Sequence, residues 1–293
     1  MLAIIAGTGN LPATLFRRLS QQGPAPLVCG LDGFMPEITP QVIFRIEQLG
    51  SFLADLKTRG VTQVCMAGAV RRMPIDPNAI DEMTMPLVPR LQAALAMGDD
   101  GTLREIIKIF EEHDLTVIGA AELLPDLLPP AGILTKAIPN AQAEDDARVG
   151  DKTLQQMGAA DSGQACIVKD GAVLAEEGPE GTDAMMRRFM SSKDAGSDLG
   201  PFEFVDDLVS SAADWLTGQA GTAKGGILFK GPKPHQDRRA DLPVIGPETA
   251  RNAAAIGLAG IVVEEGGVMV LDLLRVRQIL DAEGLFLWVR SWD

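Results

Sequence analysis

The densest concentration of reactive side chains in the sequence is the passage from Lys230 to Pro243. Its fourteen positions hold four lysine and arginine side chains, two carboxylates, one histidine and three prolines. Prolines restrict the backbone and so lower the entropy lost when a loop is ordered. Cations in a rigid loop favour an anion site, because the chain as a whole carries a formal net charge of −14. An exposed polar loop is the alternative, and His235 by itself is interpreted as a loop residue rather than a base.

A second candidate is the loop from Ala6 to Pro12, which reads AGTGNLP between a predicted strand and a predicted helix. Glycines let a backbone approach an anion closely, and a helix N-terminus directs free N–H groups towards it. The pattern therefore favours phosphate or nucleotide binding. Pro12 stands where a dinucleotide-binding fingerprint has its third glycine. A ligand-free turn and dinucleotide redox chemistry, with Asp32 as a ribose-binding acid, remain the alternatives.

Two further segments follow this loop in the first half of the chain. In Ala67–Pro74, small residues at the carboxyl end of a predicted strand leave room for a ligand, and two following arginines either meet phosphate or are simply exposed. In Gly98–Gly101, two carboxylates precede a predicted helix. These carboxylates either cap the helix or bind Mg²⁺ or ligand hydroxyl groups.

Other acidic segments have a simpler interpretation. Glu180–Asp183 leads into a predicted helix, for which Thr182 or Asp183 is a suitable N-cap residue. The runs Glu111–Glu112 and Glu144–Asp146 are interpreted as solvated helix faces, since no other reactive groups surround them in the sequence.

In the first half of the chain, the predicted elements that position the candidate segments alternate between strand and helix. Strands are predicted over residues 2–6, 26–29, 61–70 and 115–121. Helices are predicted from Pro12 onwards and over residues 51–59, 87–97 and 102–112. This alternation predicts a Rossmann-like parallel sheet covered on both faces, in which ligands bind beyond the carboxyl ends of the strands.

The pattern changes after a segment rich in proline and glycine at residues 127–140. We therefore divide the chain into an N-terminal α/β domain (1–128), a linker (129–142) and a C-terminal α+β domain (143–293). The second domain is predicted to pair its strands in mixed directions and to contain a hairpin over 165–175 that turns at Asp170-Gly171. Its helices are predicted from near Ala143 onwards and over 183–190, 206–216, 248–258 and 274–282. Its other strands are predicted over 226–230, 260–264, 268–271 and 285–289.

Composition excludes several classes of function. Hydrophobic residues make up 46% and charged residues 23%, as in globular proteins, so extensive disorder is not expected. The acidic balance disfavours binding to nucleic acid.

Cys29, Cys65 and Cys166 are interpreted as buried free thiols in a reducing cytoplasm. With two histidines and no CxxC pattern, a structural zinc site is not expected. The apolar N-terminus is interpreted as a first strand rather than a signal peptide, and the chain as soluble or at most peripheral to a membrane.

The residues from Lys230 to Thr249 follow the pattern Lys-x-Pro-Lys-Pro-x-Gln-x-x-Arg-x-Asp-Leu-Pro-x-Ile-Gly-x-x-Thr. This pattern resembles the UDP-2,3-diacylglucosamine pyrophosphatases of the LpxI type. The resemblance spans the chain in the expected order and extends to Ala6–Pro12, Ala67–Gly68, Gly98–Asp100, Glu180–Asp183 and Gly257–Val262. It implies a hydrolase of lipid A biosynthesis in Gram-negative bacteria, which splits UDP-2,3-diacylglucosamine into UMP and 2,3-diacylglucosamine 1-phosphate (lipid X) with Mg²⁺ or Mn²⁺.

The resemblance also implies roles for particular residues. Asp241 falls on the catalytic aspartate of the Asp-Leu-Pro element. Positions expected to line the substrate are occupied by Gly9, Asn10, Ala67, Gly68, Asp99, Val117, Ile118, Gly119, Thr182 and Lys230. The lipid is expected in a chamber between the domains of a homodimeric protein, loosely associated with the cytoplasmic face of the inner membrane.

Elementary chemistry agrees with these implied roles. Hydrolysis of a diphosphate needs charge neutralisation and a positioned water molecule. Lys230, Lys233 and Arg239 are expected to balance the phosphates. Mg²⁺ prefers carboxylate and water ligands, which Asp241 and Asp237 can supply. Two rival classes remain open, namely a non-catalytic lipid or nucleotide carrier of the same fold and a nucleotide-dependent oxidoreductase.

Overall fold

The computed structural model describes residues 1–71, 74–194, 223–234 and 236–291. Their contacts form two compact units. Unit 1 comprises Met1–Leu128 together with residues 236–242, and unit 2 comprises the described residues of Pro129–Pro234 and Pro243–Asp293. The segment 236–242 therefore packs with unit 1, although it lies within the range 143–293 of the sequence.

Unit 1 is built on a five-stranded sheet. Its strands are β1 (Leu2–Ala6), β2 (Leu27–Leu31), β3 (Val42–Phe44), β4 (Gln63–Ala67) and β5 (Thr116–Val117). They are ordered β3-β2-β1-β4-β5, and every neighbouring pair is parallel. This order is that of the Rossmann fold, so the predicted architecture is confirmed. The order reverses beside β1, which places a topological switch point at the carboxyl ends of β1 and β4.

Helices accompany this sheet, and the longer ones bury apolar side chains against it. They are α1 (Asn10–Gln22), α2 (Leu49–Thr58), α3 (Val88–Leu95), α4 (Gly98–Glu112) and the short α5 (Ala120–Leu123). In α2 the residues Leu49, Phe52, Leu53 and Leu56 are buried at the spacing of one helix face. They form a common core with the sheet, to which α4 contributes apolar side chains from its own buried face.

Unit 2 is built on a six-stranded mixed sheet. Its strands are β6 (Gly132–Ile133), β7 (Ala165–Lys169), β8 (Ala172–Glu176), β9 (Ile227–Lys230), β11 (Gly260–Glu264) and β13 (Phe286–Arg290), in the order β6-β13-β11-β9-β7-β8. The central strands β9, β11 and β13 are parallel, and the outer pairings are antiparallel. Strands β10 (Val244–Ile245) and β12 (Met269–Val270) form a separate parallel pair. The predicted mixed pairing is confirmed.

The helices of unit 2 are α6 (Ala141–Ala159), α7 (Thr182–Asp194), α8 (Pro247–Ala255) and α9 (Leu273–Glu283). Helix α6 also anchors the predicted hairpin β7–β8, which turns at Asp170 and Gly171 with positive φ at both residues. Asp146 of α6 is 3% exposed and accepts a hydrogen bond of 2.7 Å from the backbone N–H of Gly171. The interpretation of Asp146 as part of a solvated face is therefore wrong, because its carboxylate holds the turn.

The predicted and observed elements differ mainly at their ends. The strand predicted over 61–70 ends at Ala67, and the strand predicted over 115–121 contracts to Thr116–Val117 before α5. Strands β3, β6 and β10 were not predicted, because two or three residues are too short to show an alternating pattern. The helix predicted over 206–216 lies outside the described residues. Within the described ranges, none of the helices has both the length and the apolar character needed to cross a bilayer.

Candidate active site

Backbone hydrogen bonds join the loop after β1 to the carboxyl end of β4 and the residues that follow it. The N–H of Gly7 donates to the Ala67 carbonyl at 2.8 Å, and Thr8 and Ala69 exchange two backbone hydrogen bonds of 2.9 Å. The Thr8 hydroxyl also donates to the Ala69 carbonyl at 3.0 Å. Both sequence-predicted loops thus meet at the switch point, where open α/β sheets bind their ligands.

Glycine is required at this meeting point for two different reasons. A Cβ on Gly7 would lie 2.5 Å from the Ala69 carbonyl oxygen, so the close approach of the two chains excludes one. Gly68 has φ +89°, and its Cβ would lie 2.6 Å from the Thr8 carbonyl oxygen. Gly9 also has a positive φ of 93°, but a Cβ there would have no atom within 4 Å. The predicted ligand positions Gly9 and Gly68 are both exposed.

Asn10 is the first residue of α1, immediately after this loop. With its amide oriented to suit its neighbours, the Asn10 side-chain nitrogen donates to the Glu37 carboxylate. Asn10 is exposed, so its predicted role as a substrate contact stays a prediction.

The acidic pair Asp99 and Asp100 lies within the first turn of α4 rather than before the helix. Met97 occupies the N-cap position, so the interpretation of these carboxylates as helix caps is wrong. Their position in the first turn still suits the positive end of the helix dipole. Asp100 forms an ion pair of 3.0 Å with Arg104 one turn later, while Asp99 is exposed.

The end of β5 is the point at which the segment 236–242 packs on unit 1. The N–H of Ile118 donates to the Val64 carbonyl at 2.9 Å, which continues the pairing of β5 with β4 by one residue beyond Val117. Gly119 is buried, and its N–H donates to the Glu122 carboxylate at 2.8 Å. A Cβ on Gly119 would lie 3.2 Å from the Cα of Arg239, so the small residue allows the segment to lie against this strand end.

Arg239 holds the segment through ion pairs with Asp237 and Glu111, which together we call the clamp. Its guanidinium donates to both carboxylate oxygens of Asp237, at 3.0 and 2.8 Å, and to Glu111 at 2.6 Å. Hydrogen bonds from Arg239 lower the pKa of Asp237, and those to Asp237 and Glu111 raise the pKa of Arg239. Glu111 lies on an exposed helix face, as interpreted, and the ion pair with Arg239 is the feature that the sequence did not predict. Its partner lies 128 residues away, so no local pattern in the sequence points to the pair.

Asp241 follows in the turn that this clamp closes. Its N–H donates to the Asp237 carbonyl at 3.2 Å, and its side chain is half-buried. The structure thus brings Asp237, Arg239 and Asp241 together beside the end of β5. Among the described residues, no three histidine, cysteine or carboxylate side chains are grouped as a ready metal site.

In unit 2, the predicted residues Thr182 and Lys230 form one buried chain of hydrogen bonds. Lys230 is 8% exposed and Thr182 is 6% exposed. The Lys230 ammonium donates to the Thr182 hydroxyl at 2.6 Å, and this hydroxyl donates to the Glu177 carboxylate at 2.7 Å. Glu177 was not among the sequence-predicted residues. The only signal for it is its position before the turn Gly-Pro-Glu-Gly that leads to Thr182.

Lys233 lies three residues beyond Lys230 and forms an ion pair with Asp161. Nearby, Pro234 packs so closely on Gly158 of α6 that a Cβ on this glycine would lie 2.5 Å from the ring. Both contacts belong to unit 2, whereas residues 236–242 belong to unit 1. The charged passage seen in the sequence is therefore divided between the units. His235, Arg72 and Met73, which the sequence also brought into consideration, lie outside the described residues.

The three cysteines are buried free thiols, as predicted. Burial raises the pKa of Cys29, Cys65 and Cys166 to about 12 in each case. A thiol with such a pKa is almost entirely protonated at neutral pH, so these side chains are unsuited to nucleophilic catalysis.

Comparisons with known proteins cover almost the whole chain. The family model of the LpxI N-terminal domain matches residues 1–127, and that of the LpxI C-terminal domain matches residues 130–288. A relative from Caulobacter vibrioides, named UDP-2,3-diacylglucosamine pyrophosphatase LpxI, is 34% identical over 288 residues. The match covers 97% of this chain and 95% of the relative.

Proposed function

The chain belongs to the LpxI family, and from this premise we propose that it hydrolyses the diphosphate of UDP-2,3-diacylglucosamine. The products are UMP and 2,3-diacylglucosamine 1-phosphate (lipid X), and one water molecule is consumed. The protein is thus a diphosphate hydrolase of lipid A biosynthesis. The observation that carries this proposal is the 34% identity to a named pyrophosphatase over 97% of the chain.

The placement of the predicted residues in unit 1 supports nucleotide binding there. Gly9 and Gly68 lie at the carboxyl ends of β1 and β4, and Gly119 lies at that of β5. Ligands of Rossmann-like sheets bind at this edge, where backbone N–H groups are available to phosphate. We propose that the UDP moiety is bound by this edge, with Asn10, Ala67, Asp99 and the residues 117–118 as neighbours.

The diphosphate also needs local cations, because the chain has a formal net charge of −14. Lys230 is a suitable group, since its ammonium is buried and already directed by Thr182. Lys233 and Arg239 are paired with Asp161 and with Asp237 and Glu111. In our proposal, each of these two cations donates some of its N–H groups to its carboxylate partners and others to phosphate oxygens.

We assign the central chemical role to Asp241. Its carboxylate either orients the attacking water or binds a divalent metal ion, and both roles suit a half-buried carboxylate in a turn. Arg239, Asp237 and Glu111 hold this turn in place. In either role, removal of the carboxylate should abolish most of the rate without unfolding the protein.

The residues present are compatible with Mg²⁺ at Asp241. Mg²⁺ commonly takes one or two carboxylates and completes its ligand set with water and substrate phosphates. Asp237 is a poorer ligand, because Arg239 occupies both of its oxygens. When bound, the ion would neutralise charge on the diphosphate.

The test is UMP release from UDP-2,3-diacylglucosamine by the purified protein, with Mg²⁺ or Mn²⁺ and with EDTA. We expect metal-dependent turnover and a loss of about three orders of magnitude in kcat in Asp241→Ala, at unchanged unfolding temperature. Asp145→Ala is a matched control, because Asp145 is an exposed aspartate of α6 paired with Arg148. Full activity of Asp241→Ala would refute the role of this carboxylate.

A second outcome would change the class of the protein. Tight binding of the lipid nucleotide with no turnover under any metal condition would favour the carrier of the same fold. We also propose a homodimer that associates loosely with the cytoplasmic face of the inner membrane. Light scattering and sedimentation with phospholipid vesicles test these two properties separately.

A further inference from the structure

We propose that Glu177 is a positioning residue, which orients Thr182 and Lys230 towards the diphosphate of the substrate. This inference rests on the proposed function, because it assumes that Lys230 contacts phosphate. Glu177 itself is not proposed to touch the substrate.

The first support is the direction of the hydrogen bonds. A hydroxyl has one donor and can accept from other groups. Because the Thr182 hydroxyl gives its proton to Glu177 at 2.7 Å, its lone pairs are directed to the Lys230 ammonium at 2.6 Å. The carboxylate therefore decides which way the hydroxyl points, and the hydroxyl decides where the ammonium lies.

The second support is electrostatic. Burying an ammonium group is costly unless a counter-charge or hydrogen bonds compensate for the lost water. Lys230 is 8% exposed, and in the described part of the chain its hydrogen-bond partner is the neutral hydroxyl of Thr182. Glu177 lies one hydrogen bond further and supplies the negative charge. The other N–H groups of the ammonium can then be given to phosphate oxygens without loss of this support.

The third support is that Glu177 is itself fixed by the backbone. Its second carboxylate oxygen accepts the Gln164 N–H at 2.8 Å, and its own N–H donates to the Ala165 carbonyl at 2.8 Å. The Gln164 carbonyl accepts the N–H of Gly231 at 3.1 Å, directly after Lys230. Gln164 thus links the carboxylate and the lysine to the same point of the sheet.

Replacement of Glu177 by glutamine is a sharp test, since the shape is kept. Glutamine has only one acceptor oxygen, and Glu177 must accept from both Thr182 and Gln164. One of the two bonds must be lost or reversed. We expect Glu177→Gln to lower kcat/KM about tenfold, as for the loss of one charge-assisted hydrogen bond. The matched control is Glu176→Gln, because Glu176 is the exposed preceding residue, at the end of β8.

A double-mutant cycle with Lys230→Met separates positioning from general destabilisation. If Glu177 acts through Lys230, Glu177→Gln has no further effect on kcat/KM once Lys230 is replaced. The inference is overturned if the two effects multiply, or if Glu177→Gln changes only the unfolding temperature and leaves kcat/KM unchanged.

The same cycle is measured on the dissociation constant of UDP-2,3-diacylglucosamine in EDTA, where no turnover is expected. If the protein binds the substrate but never hydrolyses it, the proposed hydrolysis fails. Non-additive effects of the two substitutions on the dissociation constant would then still support the positioning role of Glu177. Turnover with multiplying effects leaves the hydrolysis standing and overturns the role of Glu177. Absence of both binding and turnover in the unaltered protein overturns both.

Discussion

The two units present their candidate site residues by different means. In unit 1, the switch point is formed by backbone hydrogen bonds between two loops, and glycines make their approach possible. In unit 2, Lys230, Thr182 and Glu177 form a buried chain of side-chain hydrogen bonds. A site made by backbone should tolerate changes of charge but not an added Cβ. A site made by side chains should show the opposite behaviour.

The largest effect on stability is expected from glycine substitutions in unit 1. Gly68→Ala adds both a steric clash and an unfavourable φ, so we expect it to lower the free energy of unfolding by about 3–5 kcal/mol. Gly7→Ala adds the clash alone and Gly9→Ala the strained φ alone, for about 1–3 kcal/mol each. Denaturant unfolding measures all three. Equal losses at Gly9 and Gly68 would contradict the importance of close backbone approach.

The corresponding change in unit 2 is Lys230→Met, which leaves an unbranched side chain one atom shorter and removes its charge. We expect kcat/KM to fall about a hundredfold through loss of a phosphate contact. The loss of stability should be modest, because Glu177 is only half-buried and keeps its hydrogen bonds from Thr182 and Gln164. Lys224→Met is the control, because Lys224 is an exposed lysine near the same strand. If Lys230→Met is unfolded at room temperature, the hydrogen bonds among Lys230, Thr182 and Glu177 have a mainly structural role.

Acid acts on unit 1 through carboxylates whose pKa values are lowered in the folded state. In the described ranges of this unit they include Glu47, Asp81, Glu112, Asp114, Asp126 and Asp237. Glu47 is 3% exposed, and hydrogen bonds from Arg45 are the main cause that lowers its pKa from 4.5 to about 2. A lowered folded-state pKa stabilises the protein above pH 4.5, and this stabilisation is lost as the pH falls towards 2.

We therefore expect unit 1 to lose stability as the pH falls from 4.5 towards 2, with far-UV circular dichroism as the measurement. Glu47→Gln should cost about 2 kcal/mol at neutral pH and flatten the acid dependence of the free energy of unfolding. An acid transition that is unchanged in Glu47→Gln would contradict this role of the Glu47 carboxylate.

The smallest effect is expected from Glu111→Gln, which weakens the clamp on the segment 236–242. Glu111 and Arg239 are 44% and 38% exposed at their side chains, and pairs at this level of exposure contribute little to stability. We expect kcat to fall about threefold through looser placement of Asp241, with an unchanged unfolding temperature. Glu144→Gln, at an exposed position of α6, is the control. A larger loss in the control than in Glu111→Gln would argue against the clamp.

The sequence predicts the parts of this molecule that depend on local pattern. Strand β1, helix α2 and the hairpin at Asp170 and Gly171 follow from local apolar pattern and turn chemistry, and all are observed. The family resemblance is likewise confirmed. Asp99 and Asp100 were expected before α4, because glycine and aspartate disfavour helices, yet α4 begins at Gly98.

The contacts that remained hidden are those between distant residues. Glu111 is indistinguishable from a solvated acid until Arg239, 128 positions later, packs beside it. Glu177 was missed because its neighbour Thr182 begins helix α7, while Lys230, which completes the group, comes from the distant strand β9. No periodicity or motif records such a pairing.

The segment 236–242 also bears on the order of events during synthesis. A ribosome finishes Met1–Leu128 long before residue 242 emerges, so unit 1 receives its last piece only when most of the chain exists. Until then, Gly119 at the end of β5 lacks the backbone that lies against it in the finished protein. Maturation of the first unit is thereby delayed until translation has passed through the greater part of the second.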